Sequence, residues 1–358
     1  MALSFILHKK HKFSNARVGE IKTKHGIIKT PTFMPVGTQG TVKAMKVEDL
    51  KQAGTQIILG NTYHLMLRPS GDLIEKFGGL HNFMNWDRPI LTDSGGYQVM
   101  SLSNLRKLKE DGVEFKSHID GTKYFLTPEL SINIQKQLDS NITMIFDECT
   151  PYPATMQQAE DSMSLSLKWA KKSKDAFVER DGYGLFGIVQ GGVYKNLREK
   201  SALALNKLEF DGMAIGGLAV GEGQEIMFQV LDFTLPFIPE NKPRYLMGVG
   251  KPDDIIGAIK RGVDMFDCVL PTRSGRNGQA FTSNGTVNIN NAKYREGRGA
   301  LDENCNCNTC QNYTTAYLNH LFKAKEMLGA MLLTQHNIHY YNHFIAEIRE
   351  KILNDEEF

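Results

Sequence analysis

Eight short apolar runs recur along the chain, each closing on glycine or a polar residue and most followed by helical periodicity: TFMPVG, IILGN, ILTDS, MIFDE, FGIVQ, MAIGG, RYLMG and MFDCV. They are continuously apolar, as strands buried on both faces must be, and eight such units predict a parallel sheet closed into a (β/α)8 TIM barrel. An open doubly wound sheet is the architectural alternative. No GxGxxG opens a helix after the first run and GxxxxGK[ST] is absent, which disfavours the nucleotide-binding forms of that alternative. Alternation replaces continuity in two places. The opening residues 4–31 predict short antiparallel strands ahead of the barrel, and VEFKSHIDGTKYFLTP predicts a hairpin around Asp120-Gly121 inserted between the third and fourth runs. After Asn284, GTVNINNAKYREGRG reads as strand and loop, a cysteine cluster follows, and two helical patterns run to the end.

Composition adds limits. With 358 residues, 41% of them hydrophobic, the chain can bury a large core. A net charge of +2 means that any polyanion must meet a local patch. The start, MALSFILHKKHKF, places its basic residues after a very short apolar run, the reverse of a signal peptide, and no stretch approaches the length of a membrane span. A cytoplasmic protein is expected. Three of the five cysteines crowd into CNCNTC, which is not the spacing of a disulfide framework.

In a barrel of this kind chemistry gathers where strands end and the following loops begin. Those positions hold Asn61, Asp93, Asp147, Gln190, Gly216 with Gly217, Met247 with Gly248, and Asp267. A single aspartate there is most simply a helix cap, and Asp93-Ser94-Gly95-Gly96 would cap one well; three carboxylates and a carboxamide on different strands point to a shared pocket. Tyr97 and Met247 offer surfaces for a planar ring, with core packing the equal alternative for Met247. Asp147, Gln190 and Gly217 offer hydrogen-bonding partners for the edge of a purine-like base. Asp93 and Asp267 are candidates for a carboxylate pair acting on a glycosidic bond, one attacking the anomeric carbon and one moving protons. VDMFDCVLPTRSGRNG reads as a strand that carries Asp267 straight into a loop bearing Arg273 and Arg276. Those arginines, with Lys251 in GVGKPDD, suit phosphates beside the pocket, whereas KWAKKSK reads as a solvated helix face.

Cys305, Cys307 and Cys310 supply three soft ligands in one segment. Zinc is the expected metal. His336 lies at a suitable distance to close a tetrahedron, and His320, His339 and His343 are also near in sequence. A closed Cys3His set leaves no position for catalysis, so the site is expected to be structural.

The motifs DSGGYQ, IVQGG, GGLAVGE, YLMGVG and FDCVLPTRSGRNG, followed by CNCNTC and a later histidine, resemble those of bacterial-type tRNA-guanine transglycosylases over essentially the whole chain. The resemblance implies an irregular TIM barrel over residues 1–358 with an inserted zinc subdomain at about 284–340. It implies exchange of guanine at the anticodon wobble position of tRNA for 7-aminomethyl-7-deazaguanine, on the route to queuosine. Asp267 then corresponds to the nucleophile and Asp93 to the general acid/base. Ser94, Gly95, Gly96, Tyr97, Asp147, Gln190, Gly217 and Met247 correspond to the base pocket, with Leu218 and Glu222 sensing the aminomethyl group. Cys149 and Val220 resemble the bacterial pocket rather than the queuine-accepting eukaryotic one. Gly248, Val249, Gly250, Lys251, Pro252, Asp253 and Asp254 match one RNA-contacting stretch; Thr272, Arg273, Ser274, Gly275 and Arg276 match another. Cys305, Cys307, Cys310 and His336 match the zinc ligands. The family commonly forms homodimers, and Tyr313, Tyr317 and His320, at helical spacing, would make an interface stripe or pack on their own barrel. A non-catalytic tRNA-binding subunit and a zinc hydrolase are the competing functional readings.

Overall fold

The computed structural model describes residues 3–102 and 106–358. Eight parallel strands close into a barrel in chain order: Thr32–Gly37, Ile58–Gly60, Ile90–Thr92, Ile142–Met144, Gly184–Val189, Gly212–Ile215, Arg244–Leu246 and Met265–Cys268, the last pairing with the first. Each carries one of the apolar runs or adjoins it, and the inner core is built from their side chains, among them Phe33, Met144, Phe186, Ile215, Tyr245 and Phe266. The fourth strand departs from the expected MIFDE. It ends at Met144, because the N–H groups of Phe146 and Glu148 donate to Ser173 Oγ (3.1 Å) and Ser166 Oγ (2.9 Å) of the helix Met156–Ala176 instead of to the sheet. Asp147 therefore sits in an irregular segment beyond the strand end.

The opening residues form the antiparallel sheet Ser4–Lys10, Arg17–Thr23 and Gly26–Thr30. The chain entering it and the loop between its first two strands bond to segments just ahead of barrel strands, Leu3 N–H to Tyr183 O and Asn15 N–H to Lys260 O, and so it covers the end of the barrel away from the loops. Arg17 donates through Nε (2.9 Å) and Nη2 (2.5 Å) to the carboxylate of Asp264, both residues buried. The inserted hairpin is present as Gly112–Lys116 against Lys123–Leu126, with Lys107–Lys109 added as a third strand. Its connection is the six-residue loop 117–122, closed by Ser117 N–H to Thr122 O at 2.8 Å.

The stretch expected as a loop after Asp267 is a helix, Leu270–Arg276. Pro271 occupies its first turn, where no amide donor is needed. Gly275 lets it lie directly on the C-terminal helix Met327–Leu353: a Cβ there would stand 2.8 Å from the backbone of Thr334. Beyond the barrel, the hairpin Gln279–Thr282 and Gly285–Asn288, the helices Asn308–Asn312 and Thr315–Lys323 and the start of the C-terminal helix enclose a small second core of Ala280, Ile289, Leu301, Leu318, Leu321 and Leu333. Among the described residues no helix is long and apolar enough to cross a membrane.

Candidate active site

Each strand-end residue is held by its neighbours on the rim. Asp93 is buried just past the third strand. Its Oδ1 accepts from the amides of Thr62 (2.9 Å) and Gly95 (3.2 Å), and its Oδ2 from Asn61 Nδ2 and from Gln98 Nε2 (2.8 Å). The cap that the sequence suggested for the following helix thus serves the preceding one, since Thr62 opens the helix Thr62–Leu67. Burial pushes the Asp93 carboxyl up to about 7; the donors from Asn61, Thr62 and Gly95 oppose this, and the charge of Asp267 adds to it. Asp93 and Asp267 therefore share one electrostatic environment across the mouth.

Asp267 Oδ1 accepts from the hydroxyl of Tyr245 (2.5 Å) and the amide of Gly248 (2.8 Å). Burial raises this carboxyl as well, against those two donors. Tyr245 is fully buried in the neighbouring strand and has its own hydroxyl pushed well up, chiefly by burial and then by the charge of Asp267. It donates and does not ionise.

Asp147 closes a third group. Its Oδ2 accepts from Gln190 Nε2 at 2.7 Å and its Oδ1 from Ser94 Oγ at 3.4 Å; burial sets its carboxyl at about 6. Gly96 must be glycine here, because a Cβ would stand 2.5 Å from the carbonyl of Asp147. Gln190 Oε1 is buried without a hydrogen-bond partner among the described residues, an acceptor left open for a ligand. Gly217, at φ +65°, lies directly against it, where a Cβ would be 2.6 Å from that oxygen. Beyond, Leu218 is buried and Glu222 accepts from the amides of Ala219 (2.5 Å) and Val220 (2.9 Å), fixing the loop that follows the sixth strand. Cys149 is buried, its thiol pushed up to about 12 by burial and the charge of Asp147, so it is neutral. Tyr97 is half exposed on the helix Gly96–Leu102, and Met247 is half-buried against the core.

The two stretches matched to RNA contacts divide by exposure. Val249, Gly250, Thr272, Ser274 and Gly275 are buried, which leaves Gly248, Lys251, Asp253 and Arg273 exposed and Pro252, Asp254 and Arg276 half-buried. Lys251 stands in extended backbone just before the helix Pro252–Lys260, whereas both arginines lie on Leu270–Arg276, so a helix rather than a loop presents them.

Away from the mouth, the ligand atoms of Cys305, Cys307, Cys310 and His336 all lie within 4.8 Å of one another, a set that can hold a metal ion. His336 Nε2 donates to Phe281 O at 2.7 Å, leaving Nδ1 as a lone pair 3.7, 3.5 and 3.3 Å from the three sulfurs. A ligating imidazole needs this tautomer. The competing histidines point elsewhere: His339 to Asn306, His343 to Glu347, and His320 to the surface.

The sequence reading had missed Tyr245, Gln98 and Arg198, and had given Asn61 a place without a role. Tyr245 carried a signal, a hydroxyl inside the run RYLMG. Gln98 stood in DSGGYQ without a role of its own, and Arg198, a polar residue in the helix Lys195–Asn206, carried none.

The mouth, the motifs that line it and the four-ligand cluster can be compared with known proteins. The model of the family described as Queuine tRNA-ribosyltransferase matches residues 12–357. Similar curated proteins named Queuine tRNA-ribosyltransferase include that of Rickettsia typhi, 62% identical over 355 residues (99% of this chain and 98% of the relative). That of Rickettsia bellii is 63% identical over 348 residues (97% and 96%), and that of Rickettsia akari 62% over 355 residues (99% and 98%). With family and relatives matched from one end of the barrel to the other, and every mouth residue inside the matched span, the chain belongs to the queuine tRNA-ribosyltransferase family.

Proposed function

We propose that this pentosyltransferase exchanges guanine at the wobble position of a tRNA anticodon for 7-aminomethyl-7-deazaguanine through a covalent ribosyl-aspartate intermediate. The observation that carries the reading is the pair Asp93 and Asp267, one buried and one half-buried carboxylate at the ends of different strands, close enough for one to perturb the other. A carboxyl near 7 can both give and take a proton at neutral pH, which suits Asp93. Asp267 has one oxygen held by Tyr245 and Gly248, which leaves its other, without a hydrogen bond among the described residues, to attack.

In the first half-reaction the wobble nucleotide is turned out of the anticodon into the mouth. An oxygen of Asp267 bonds to the ribose C1′ as the C1′–N9 bond breaks, its electron pair leaves with guanine, and Asp93 supplies the proton guanine takes up. In the second, the incoming base gives its N9 proton to Asp93, attacks C1′, and displaces the Asp267 carboxylate. Asp147, the open Oε1 of Gln190 and the backbone of Gly217 read the base edge, with Tyr97 and Met247 on its faces. The Leu218 carbonyl and Glu222 receive the aminomethyl group, beside Cys149 and Val220. Lys251, Arg273 and Arg276 meet the RNA backbone. The Cys305, Cys307, Cys310 and His336 set suits zinc in softness and number, and when bound the ion supplies structure, all four positions being taken by protein. The chain acts as a cytoplasmic homodimer; Tyr313 and Tyr317, stacked at 5.7 Å, either join its contact or serve their own subunit, against whose second core Tyr313 packs.

Exchange of labelled guanine into tRNA, with the aminomethyl base and queuine as competitors, tests activity and pocket class together. Asp267→Ala should abolish both exchange and a denaturation-resistant adduct with tRNA. An adduct that survives removes Asp267 as nucleophile, and wild-type protein that binds tRNA without exchange leaves a binding subunit.

A further inference from the structure

One guanidinium lies directly under the proposed base pocket. Arg198, on the helix Lys195–Asn206, is completely buried. Its Nε donates to Gly192 O at 2.7 Å, and its Nη1 to Val189 O and Gly216 O, each at 2.8 Å. Two of those carbonyls belong to the peptides that lead into Gln190 and Gly217. The ends of the fifth and sixth strands are thereby tied together at two positions assigned to the base edge. Nη2 has no hydrogen-bond partner among the described residues, and lies 3.5 Å from where a Cβ of Gly217 would stand.

Among the described residues no carboxylate pairs with this charge. The ionisable groups that act on it are Cys149, which is neutral, and Glu222, whose oxygens are occupied by the Ala219 and Val220 amides. Burial pulls the guanidinium down only to about 10, so it remains charged at neutral pH. An unpaired buried cation costs several kcal/mol, and neutral donors could hold three carbonyls without that cost. A trans peptide points its N–H opposite to its C=O. A cation on the Gly216 carbonyl therefore polarises the Gly217 N–H on the other side of the same peptide.

We propose that Arg198 is a positioning residue whose fixed positive charge, relayed through the Gly216–Gly217 peptide, stabilises the base while it carries negative charge. This rests on the exchange reaction proposed above. As the C1′–N9 bond breaks, the electron pair goes to the base before Asp93 supplies a proton. In the return step the incoming base carries the same charge after giving its proton to Asp93 and before it bonds to C1′. Arg198 touches neither base nor ribose; it strengthens a donor that does.

Arg198→Lys keeps the charge with fewer donors, and Arg198→Gln keeps donors without charge. Both should bind tRNA as the wild type does. Guanine exchange should fall roughly 100-fold in the glutamine variant, the size of effect seen when a preorganised donor is removed, and by less than about a tenth of that in the lysine variant. The glutamine deficit should shrink with 8-azaguanine, whose more acidic ring N–H needs less help to ionise. Equal losses in the two variants, independent of base acidity, would reduce Arg198 to a clamp and overturn the proposal. If the glutamine variant does not fold, the Lys variant and the wild type decide: a steeper dependence of exchange on base acidity in the Lys variant than in the wild type is expected, and identical dependence overturns it. Wild-type protein that binds no tRNA and exchanges no guanine would instead sink the underlying reaction.

Discussion

The Tyr245 hydroxyl shows how much one buried polar atom governs at this mouth. Among the described residues it is one of two donors on Asp267 Oδ1, at 2.5 Å, and it opposes the rise that burial imposes on that carboxyl. A nucleophilic carboxylate must be ionised, so Tyr245→Phe removes a stabiliser of the reactive form. Hydrogen bonds to charged groups contribute about 1.5–3 kcal/mol, which predicts that the rising limb of the pH profile of adduct formation moves up by roughly 1–2 pH units. Because the loss is one of ionisation, the deficit relative to the wild type should shrink as the pH is raised, even though Asp93, near 7, then loses the proton it supplies and both proteins slow. Single-turnover adduct formation against pH measures this. A deficit of the same size at every pH would mean that the hydroxyl only orients the carboxylate.

At the scale of elements, what was legible in the sequence follows from what each segment packs against. Barrel strands are buried on both faces, so their runs are apolar without period and their polar ends stand out; this is why Asp93, Gln190 and Asp267 were found as a set. The helix Leu270–Arg276 was not legible, since its seven residues carry two glycine-like interruptions of pattern, Pro271 and Gly275, whose purpose appears only once the C-terminal helix lies across it. Tyr245 and Asp267 are 22 residues apart and meet only through strand pairing, and Asn61 reaches Asp93 across a similar gap. The second core makes the reverse point. Its few apolar residues include Cys307 and Cys310 of the cluster that can hold a metal ion, so that cluster is part of the second core. Metal binding by such sets supplies about 10–16 kcal/mol in small domains. Chelation, or His336→Ala, should therefore add a separate early unfolding transition in calorimetry while the barrel melts near its original temperature. Metal analysis should give one zinc per chain before chelation. A single unshifted transition after verified metal loss would show that the second core stands without it.

At the scale of the whole molecule, the barrel gathers at one rim carboxylates that folding alone would not choose, and the cost has a definite pH dependence. Asp93 and Asp147 sit near 7 and 6 when folded, against 3.8 for the ordinary side chain. Between pH 4 and these values the folded chain binds protons that the unfolded chain has released, so stability is greatest at the acid end and falls as pH rises through the window. Each pH unit crossed costs roughly 1.4 kcal/mol per group. His81 acts in the opposite direction: burial and the neighbouring His25 lower it to about 4, so between pH 4 and 6.5 it adds stability as pH rises. The two trends partly cancel in the wild type, and the difference between wild type and variant isolates the rim. Asp147→Asn keeps an acceptor for Gln190 and removes one titration. Relative to wild type it should gain stability from pH 4 to pH 6 and hold a constant advantage above, of the order of 2–3 kcal/mol, while losing exchange activity. Denaturant unfolding at intervals from pH 4.5 to pH 8 measures the difference directly. If it is flat across that range, burial does not tax the Asp147 carboxylate, and its place at the mouth has to be explained without a stability cost.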